Sequence, residues 1–217
     1  MSSYDWISAV YDKAVFTAFD TETTGLKPKE ERIVEIGCVK FDRRGVIARY
    51  NVLINPEKHM PEEAGSVNGI TDEMLAGKPK FAEVLPDFLD FTRNTVLVAH
   101  NASFDMEFIN CELERCGRKA LNNKVFDTII FAREVFPGLQ SYALQSLAVQ
   151  FGVKAVNAHR AEDDARVCME FFNIAVNHFF SKNKEMLEYY QAKVNAEDYL
   201  TTKDPEIEVK NMEQNLF

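Results

Sequence analysis

The stretch from Ala14 to Leu26, AVFTAFDTETTGL, restricts this chain more than any other. It begins as an apolar run, Val15-Phe16-Thr17-Ala18-Phe19, rich in β-branched and aromatic residues and short enough to read as a buried strand. A polar loop carrying Asp20 and Glu22 is expected to follow. Side chains of extended backbone alternate, so residues two apart share a side. The two carboxylates then aim at one point just past a strand end. Two adjacent negative charges are unfavourable there unless a cation lies between them. Oxygen-only donors of this kind suit hard divalent ions, Mg²⁺ or Mn²⁺.

The pair alone has plainer accounts. Asp20 and Glu22 can simply solvate a turn. Asp20-Thr21-Glu22-Thr23 also nearly spells the Asp-x-Asp-x-Thr motif of aspartyl-phosphate phosphatases, whose first Asp is a nucleophile and second a general acid. Glu22 is one methylene too long for that second role. The rest of the chain decides between them.

The 217 residues, 46% hydrophobic with 17 Phe, are enough for one domain with one sizeable core and a tail. We expect one domain over residues 1–180 and a helical or flexible tail over 181–217, where lysines and acids replace aliphatic residues. No apolar run approaches the ~20 residues of a membrane span. The N-terminus, MSSYDWISAVYDK, lacks a signal-peptide charge pattern, so a soluble, cytoplasmic protein without a membrane partner is expected. Cys38, Cys111, Cys116 and Cys168 form no CxxC pair and read as buried reduced thiols rather than zinc ligands. The net charge of −9 argues against a broad phosphate-clamping groove. It leaves room for a nucleic-acid end held through metal ions, which invert the local field.

Along the chain, Arg32–Phe41 and Val46–Asn55 read as a hairpin across Asp42-Arg43-Arg44-Gly45, the first strand covered on one face. Residues 56–69, broken by Pro56, Pro61, Gly65 and Gly69, read as loop, and Thr71 caps a short helix. Phe81, Val84, Leu85, Phe88 and Leu89 lie on one helical stripe, with Pro86 expected to delay or bend that helix. Thr95–Ala99 reads as a central strand, and Ser103 as the cap of a helix running to Cys116 and stopped by Gly117. A short strand over Lys124–Asp127 and helices over Thr128–Val135, Tyr142–Phe151 and from past His159 to Phe180 complete the domain, with another helix over 184–194. The pattern is α/β with a mixed central sheet of about five strands flanked by helices.

Two further sites join the first. Asp105 opens a helix after a strand end, and His159-Arg160-Ala161-Glu162-Asp163-Asp164-Ala165 sets a histidine before a helix with acids one turn on. Singly, Asp105 can serve the helix dipole and Asp163/Asp164 a solvated face. Together they meet the needs of two-metal phosphoryl hydrolysis: about four carboxylates around ions ~3.5–4 Å apart, and a base that titrates near neutrality.

Phe19-Asp20-Thr21-Glu22-Thr23-Thr24-Gly25-Leu26, His100-Asn101-Ala102-Ser103-Phe104-Asp105 and His159-Arg160-Ala161-x-x-Asp164-Ala165 resemble the three motifs of the DnaQ-like, DEDDh family of 3′→5′ exonucleases. The resemblance runs from about Ala14 to Phe180 and includes Asn68-Gly69-Ile70-Thr71 and Val125-Phe126-Asp127-Thr128. The phosphatase motif explains none of the later sites. The resemblance implies an RNase H-like fold and a metal-dependent exonuclease that releases nucleoside 5′-monophosphates. It also implies two divalent cations, Mg²⁺ or Mn²⁺, held by Asp20, Glu22, Asp105 and Asp164, with His159 as general base. By the same resemblance Thr23 and Leu26 line the terminal nucleotide, and Ile70 and Phe104 form an apolar wall around the bases. Many relatives have histidine where this chain has Asn68.

The implied partner is a single-stranded or frayed 3′ end of DNA, with proofreading beside a replicative polymerase as one setting. An RNA-trimming enzyme of the same superfamily and a non-catalytic replisome scaffold are the alternatives, although a decayed scaffold would be expected to lack some of the five residues. The C-terminus, with Gln214, Leu216 and Phe217, resembles peptides that bind bacterial sliding clamps, one residue short of their usual spacing.

Overall fold

In the computed structural model, Tyr4 and residues 6–184 are described. The expected helix over 184–194 and the Gln214–Phe217 peptide lie outside the described residues, apart from Lys184 itself. Five strands form one sheet: β1 (Phe16–Thr23), β2 (Ile33–Asp42), β3 (Gly45–Leu53), β4 (Val96–Ala99) and β5 (Val125–Asp127), in the order β3-β2-β1-β4-β5. β1–β2 and β2–β3 are antiparallel, whereas β1–β4 and β4–β5 are parallel. The mixed five-stranded sheet is therefore as expected. The chain leaves β1 toward one side of the sheet and β4 toward the other, which opens a crevice at the carboxyl ends of these two central strands.

Helices cover both faces. α1 (Ile7–Val10), α6 (Thr128–Val135), α7 (Leu144–Phe151) and the long α8 (Ala161–Lys182) lie on one face, packed around Phe16, Phe41, Phe126, Phe131 and Phe172. α4 (Phe81–Thr92) and α5 (Ala102–Arg115) cover the other, around Phe19, Cys38, Leu97, Phe88 and Phe108. Alternation along β1 sends Phe16 and Ala18 toward α8 and Phe19 away from it. Asp20 and Glu22 continue the α8 series.

Several expectations are corrected. β1 does not end at Phe19: pairing with β2 continues to Thr23, so Asp20 and Glu22 lie within the strand, not in a loop beyond it. β2 is buried on both faces rather than one, because helices cover both sides of the sheet. α2 (Glu62–Asn68) occupies the segment read as loop. Pro61 stands at its N-cap and left-handed Gly69 at its C-cap, so those two breakers mark the helix's ends. The helix over 81–92 runs through Pro86, which is exposed, so the carbonyl it leaves unpaired faces solvent. Asn101, not Ser103, is the N-cap of α5, and the Asp127 carboxylate accepts the Ala102 N–H there. Cys38 and Cys168 are buried thiols, but Cys111 and Cys116 are only half-buried. Among the described residues, no helix is long and apolar enough to cross a membrane.

Candidate active site

β1, α5 and α8 bring the predicted acids to the crevice. Asp20 and Glu22 stand opposite Gly37 and Glu35 of β2, all four on the α8 face. α8 can settle there because Gly37 has no side chain: a Cβ would lie 2.1 Å from the Ala161 carbonyl carbon and from the Glu162 nitrogen. This contact sets the first turn of α8, and with it Asp164, above β1. Asp105 comes from the first turn of α5 on the opposite layer. Its Oδ1 accepts the Thr21 N–H at 2.9 Å and the Thr21 hydroxyl at 2.7 Å, which ties the helix end to β1.

Both oxygens of Asp164 are engaged. Oδ1 accepts from the Gln145 side chain at 2.7 Å, and Oδ2 accepts the His159 N–H at 3.0 Å. His159 itself is exposed and left-handed (φ 62°), held by that bond in the turn just before α8. Ligand atoms of Glu22, His159 and Asp164 all lie within 4.8 Å of one another, the spacing of a site able to hold one ion. Asp163, adjacent in sequence, is used differently: it accepts the Val156 and Asn157 N–H groups at 2.7 Å and pairs with Arg166. Arg160, the residue after His159, makes a two-pronged pair with buried Glu35, at 3.0 and 2.8 Å.

The electrostatics describe a site short of positive charge. Burial, then repulsion from Asp105, Glu22 and Asp164, holds Asp20 well above the usual carboxylate range. Glu22 is pushed up to about 8 by burial and by Asp164, against a hydrogen bond from Asn68. Burial also raises Asp105 and Asp164 despite the hydrogen bonds each accepts. Four carboxylates that resist ionising together form a donor set that divalent cations would relieve, and their all-oxygen chemistry fits Mg²⁺ or Mn²⁺.

Beside the acids opens a cavity of about 460 Å³, roughly the size a nucleotide needs. Its lining includes Glu22, Thr23, Leu26, Asn68 and Phe104. Leu26 is 82% exposed at its rim, and the Phe104 ring leans on Phe108. Ile70 is not part of this wall. It is fully buried with Val34, Met60 and Leu75, since the turn after α2 points it inward. Asn68 takes the inner position instead, accepting the Ile70 N–H and reaching the Thr23 carbonyl. The loop between β1 and β2 that forms the rim is fastened to α5 by Arg32, which grips Glu112 at 2.6 and 3.1 Å.

His100, part of the second motif, does not face the acids. Its ring bonds the Thr128 hydroxyl and the Tyr142 carbonyl, and burial lowers its pKa. It joins β4 to α6 and the start of α7. Gln145, Glu35 and Gly37 were not singled out from sequence. Glu35 interrupts an apolar run and Gly37 is a glycine inside a strand, both readable signals. Nothing in the spacing of α7 marks Gln145.

Residues 17–172, a span that holds all five predicted residues, match the exonuclease family RNase_T. The chain belongs to this family. Within the exonucleases it is 52% identical over 191 residues to the DNA polymerase III subunit epsilon of Treponema pallidum (strain Nichols), covering 87% of this chain and 89% of that one. It is 33% identical to the subunit epsilon of Aquifex aeolicus (strain VF5), over 72% of this chain and 78% of that one. A DNA polymerase III PolC-type of Clostridium perfringens (strain 13 / Type A) matches at 37% over 87% of this chain, a region making up 13% of that polymerase. Among solved structures, exonuclease X in complex with 5′ overhanging duplex DNA superposes with a TM-score of 0.63 at 25% identity, covering 75% of this chain and 91% of that one. The fold and the DnaQ-like family expected from the three motifs are those observed.

Proposed function

We propose that this exonuclease proofreads DNA, hydrolysing the last phosphodiester of a frayed 3′ end with two divalent cations and releasing nucleoside 5′-monophosphates. The observation that carries the reading is the convergence of Asp20, Glu22, Asp105, Asp164 and His159 on one crevice beside a nucleotide-sized cavity. Asp20, Glu22, Asp105 and Asp164 would hold the ions, Mg²⁺ or Mn²⁺. When bound, such ions supply Lewis acidity to the attacking water, the phosphate and the leaving 3′-oxygen. His159, exposed at the crevice mouth, takes the proton of the attacking water. Thr23, Leu26 and Phe104 frame the terminal nucleotide by shape and stacking, which favours weak base preference.

The likeness to subunit epsilon over nearly the whole of both chains supports a place beside a replicative polymerase. The C-terminal Gln214-Asn215-Leu216-Phe217 would tether it to a sliding clamp. One gel tests the enzymatic part: 5′-labelled single-stranded DNA, RNA of the same sequence and a mismatched primer–template, each with Mg²⁺ or Mn²⁺. A ladder shortening from the 3′ end of DNA, lost in EDTA and restored by Mn²⁺, is expected. Faster loss of RNA would move the substrate to RNA, and no degradation with either ion would sink the catalytic reading.

A further inference from the structure

Near Asp20 and Glu22 lies a fifth carboxylate that the proposed chemistry does not use. Glu35 lies opposite Glu22 across the β1–β2 ladder, with its side chain wholly buried. Its Oε1 accepts from Arg160 Nη2 at 2.8 Å, and its Oε2 accepts from Arg160 Nε at 3.0 Å and from the Ala161 N–H at 3.2 Å. These are the two residues that follow His159. The turn itself is unusual, with His159 left-handed and Arg160 giving no side-chain cap to α8. Glu35, 126 positions away from Ala161 in sequence, supplies an acceptor for the first N–H of the helix.

With Glu35 wholly buried and Arg160 more than a third exposed, the carboxylate's desolvation cost makes this pair a poor stabiliser in itself. Its geometry points to another role. We infer that Glu35 is a positioning residue for His159: by gripping Arg160 and the Ala161 N–H, it fixes the turn from which the imidazole reaches the attacking water. Asp164 fixes the same turn from the other side through the His159 N–H. The imidazole, exposed at the surface, is thus aimed by its backbone. The inference rests on His159 acting as the base.

The test is a double-mutant cycle on the full chain. Glu35→Gln keeps the size and loses the charge, and Arg160→Lys keeps the charge but loses the fork. Each is made alone and on a His159→Ala background. With saturating Mn²⁺ and 5′-labelled single-stranded DNA, Glu35→Gln should lower kcat about 10–100-fold, the usual cost of losing such a supporting partner. KM, and Mn²⁺ binding measured by calorimetry, should stay within about two-fold. On the His159→Ala background the same change should cost nothing further. If Glu35→Gln melts too early to assay, the paired replacement Glu35→Met/Arg160→Met removes both partners of the pair together, leaving no buried charge without its counter-ion, and should show the same loss of kcat in a folded protein. An equal loss with and without His159, a loss carried by KM or Mn²⁺ binding, or a folded variant with unchanged kcat overturns the inference while leaving the base in place. Unchanged kcat in His159→Ala alone removes the base, and this inference with it.

Discussion

Replacing Gly37 by alanine is the smallest change that should disturb this site, and its size can be worked from the structure. The added Cβ would lie 2.1 Å from the Ala161 carbonyl carbon, 2.1 Å from the Glu162 nitrogen and 2.4 Å from the Ala161 oxygen, where ordinary contact begins at 3.4 Å. All three are backbone atoms of the first turn of α8, so no rotamer change relieves them. The helix end must lift by about 1 Å, or β2 must bow away from it. Overpacking of this kind costs about 1–3 kcal/mol. In a domain of this size each kcal/mol lowers Tm by about 2–4 °C, so a fall of about 2–12 °C is expected. The rate should suffer more. Asp164 and the turn of His159 ride on that helix end, and a misplacement near 1 Å at a reacting centre costs about 10²-fold. A thermal melt with a single-turnover exonuclease assay reads both. A variant within about 1 °C and two-fold of the parent would refute the argument that Gly37 sets the height of α8.

Asp20→Asn and Asp164→Asn should each abolish degradation while the metal-free protein melts no lower, because repulsion among the acids is relieved. Asp163→Asn should keep activity within a few-fold, and the reverse pattern in the assay would exchange the roles of the two residues. In EDTA, Asp20 and Glu22 bind more protons folded than unfolded, so Tm should rise as pH falls from about 8 toward 6.5 and saturate only below the unfolded carboxylate range. Below 6.5, His100, whose pKa is lowered, works in the opposite sense. Mn²⁺ should flatten that slope, and melts with an equal slope in both conditions would separate the acids from the ion. Deleting residues 212–217 should leave activity on free oligonucleotides unchanged and weaken binding to a sliding clamp. Equal binding by both forms, measured by surface plasmon resonance, would remove the tether.

Apolar periodicity carried most of the fold into view: the β2–β3 hairpin, β4, and the helices from α4 to α8 stand close to where their stripes place them. The two-residue spacing of Asp20 and Glu22 was legible for the same reason, although the strand carries them further than their polarity indicated. Legibility failed where one residue's meaning depends on a distant partner. Pro61 and Gly69 read as breakers because nothing nearby shows that they bracket a helix. Ile70 reads equally as wall or core until Val34 and Met60 are seen around it. Glu35, Gly37 and Gln145 act on α8 across long stretches of chain, and single-residue spacing cannot register that. Asp163 and Asp164 are neighbours of equal chemistry, and only the three-dimensional partners of each tell them apart.

The topology explains why these carboxylates meet at all. β1 runs antiparallel to β2 and parallel to β4, and from the adjacent carboxyl ends of β1 and β4 the chain goes on to β2 on one side and β5 on the other, which leaves a crevice between them. Asp20 and Glu22 stand at the carboxyl end of β1, and Asp105 enters four residues into the helix that leaves β4. Neither element could supply the third side, because their own helices and loops diverge from that point. α8 supplies it by crossing back over β1 and β2, and it can do so only where Gly37 leaves the sheet bare. Three of the acids are then anchored to a neighbouring element: Asp105 to Thr21 of β1, Asp164 to Gln145 of α7 and to the His159 turn, Glu35 to Arg160. The charges repel, yet the backbone cannot let them separate. A rigid cluster of this kind favours cations over relaxation, because the only remaining way to lower its energy is to bind positive charge or take up protons.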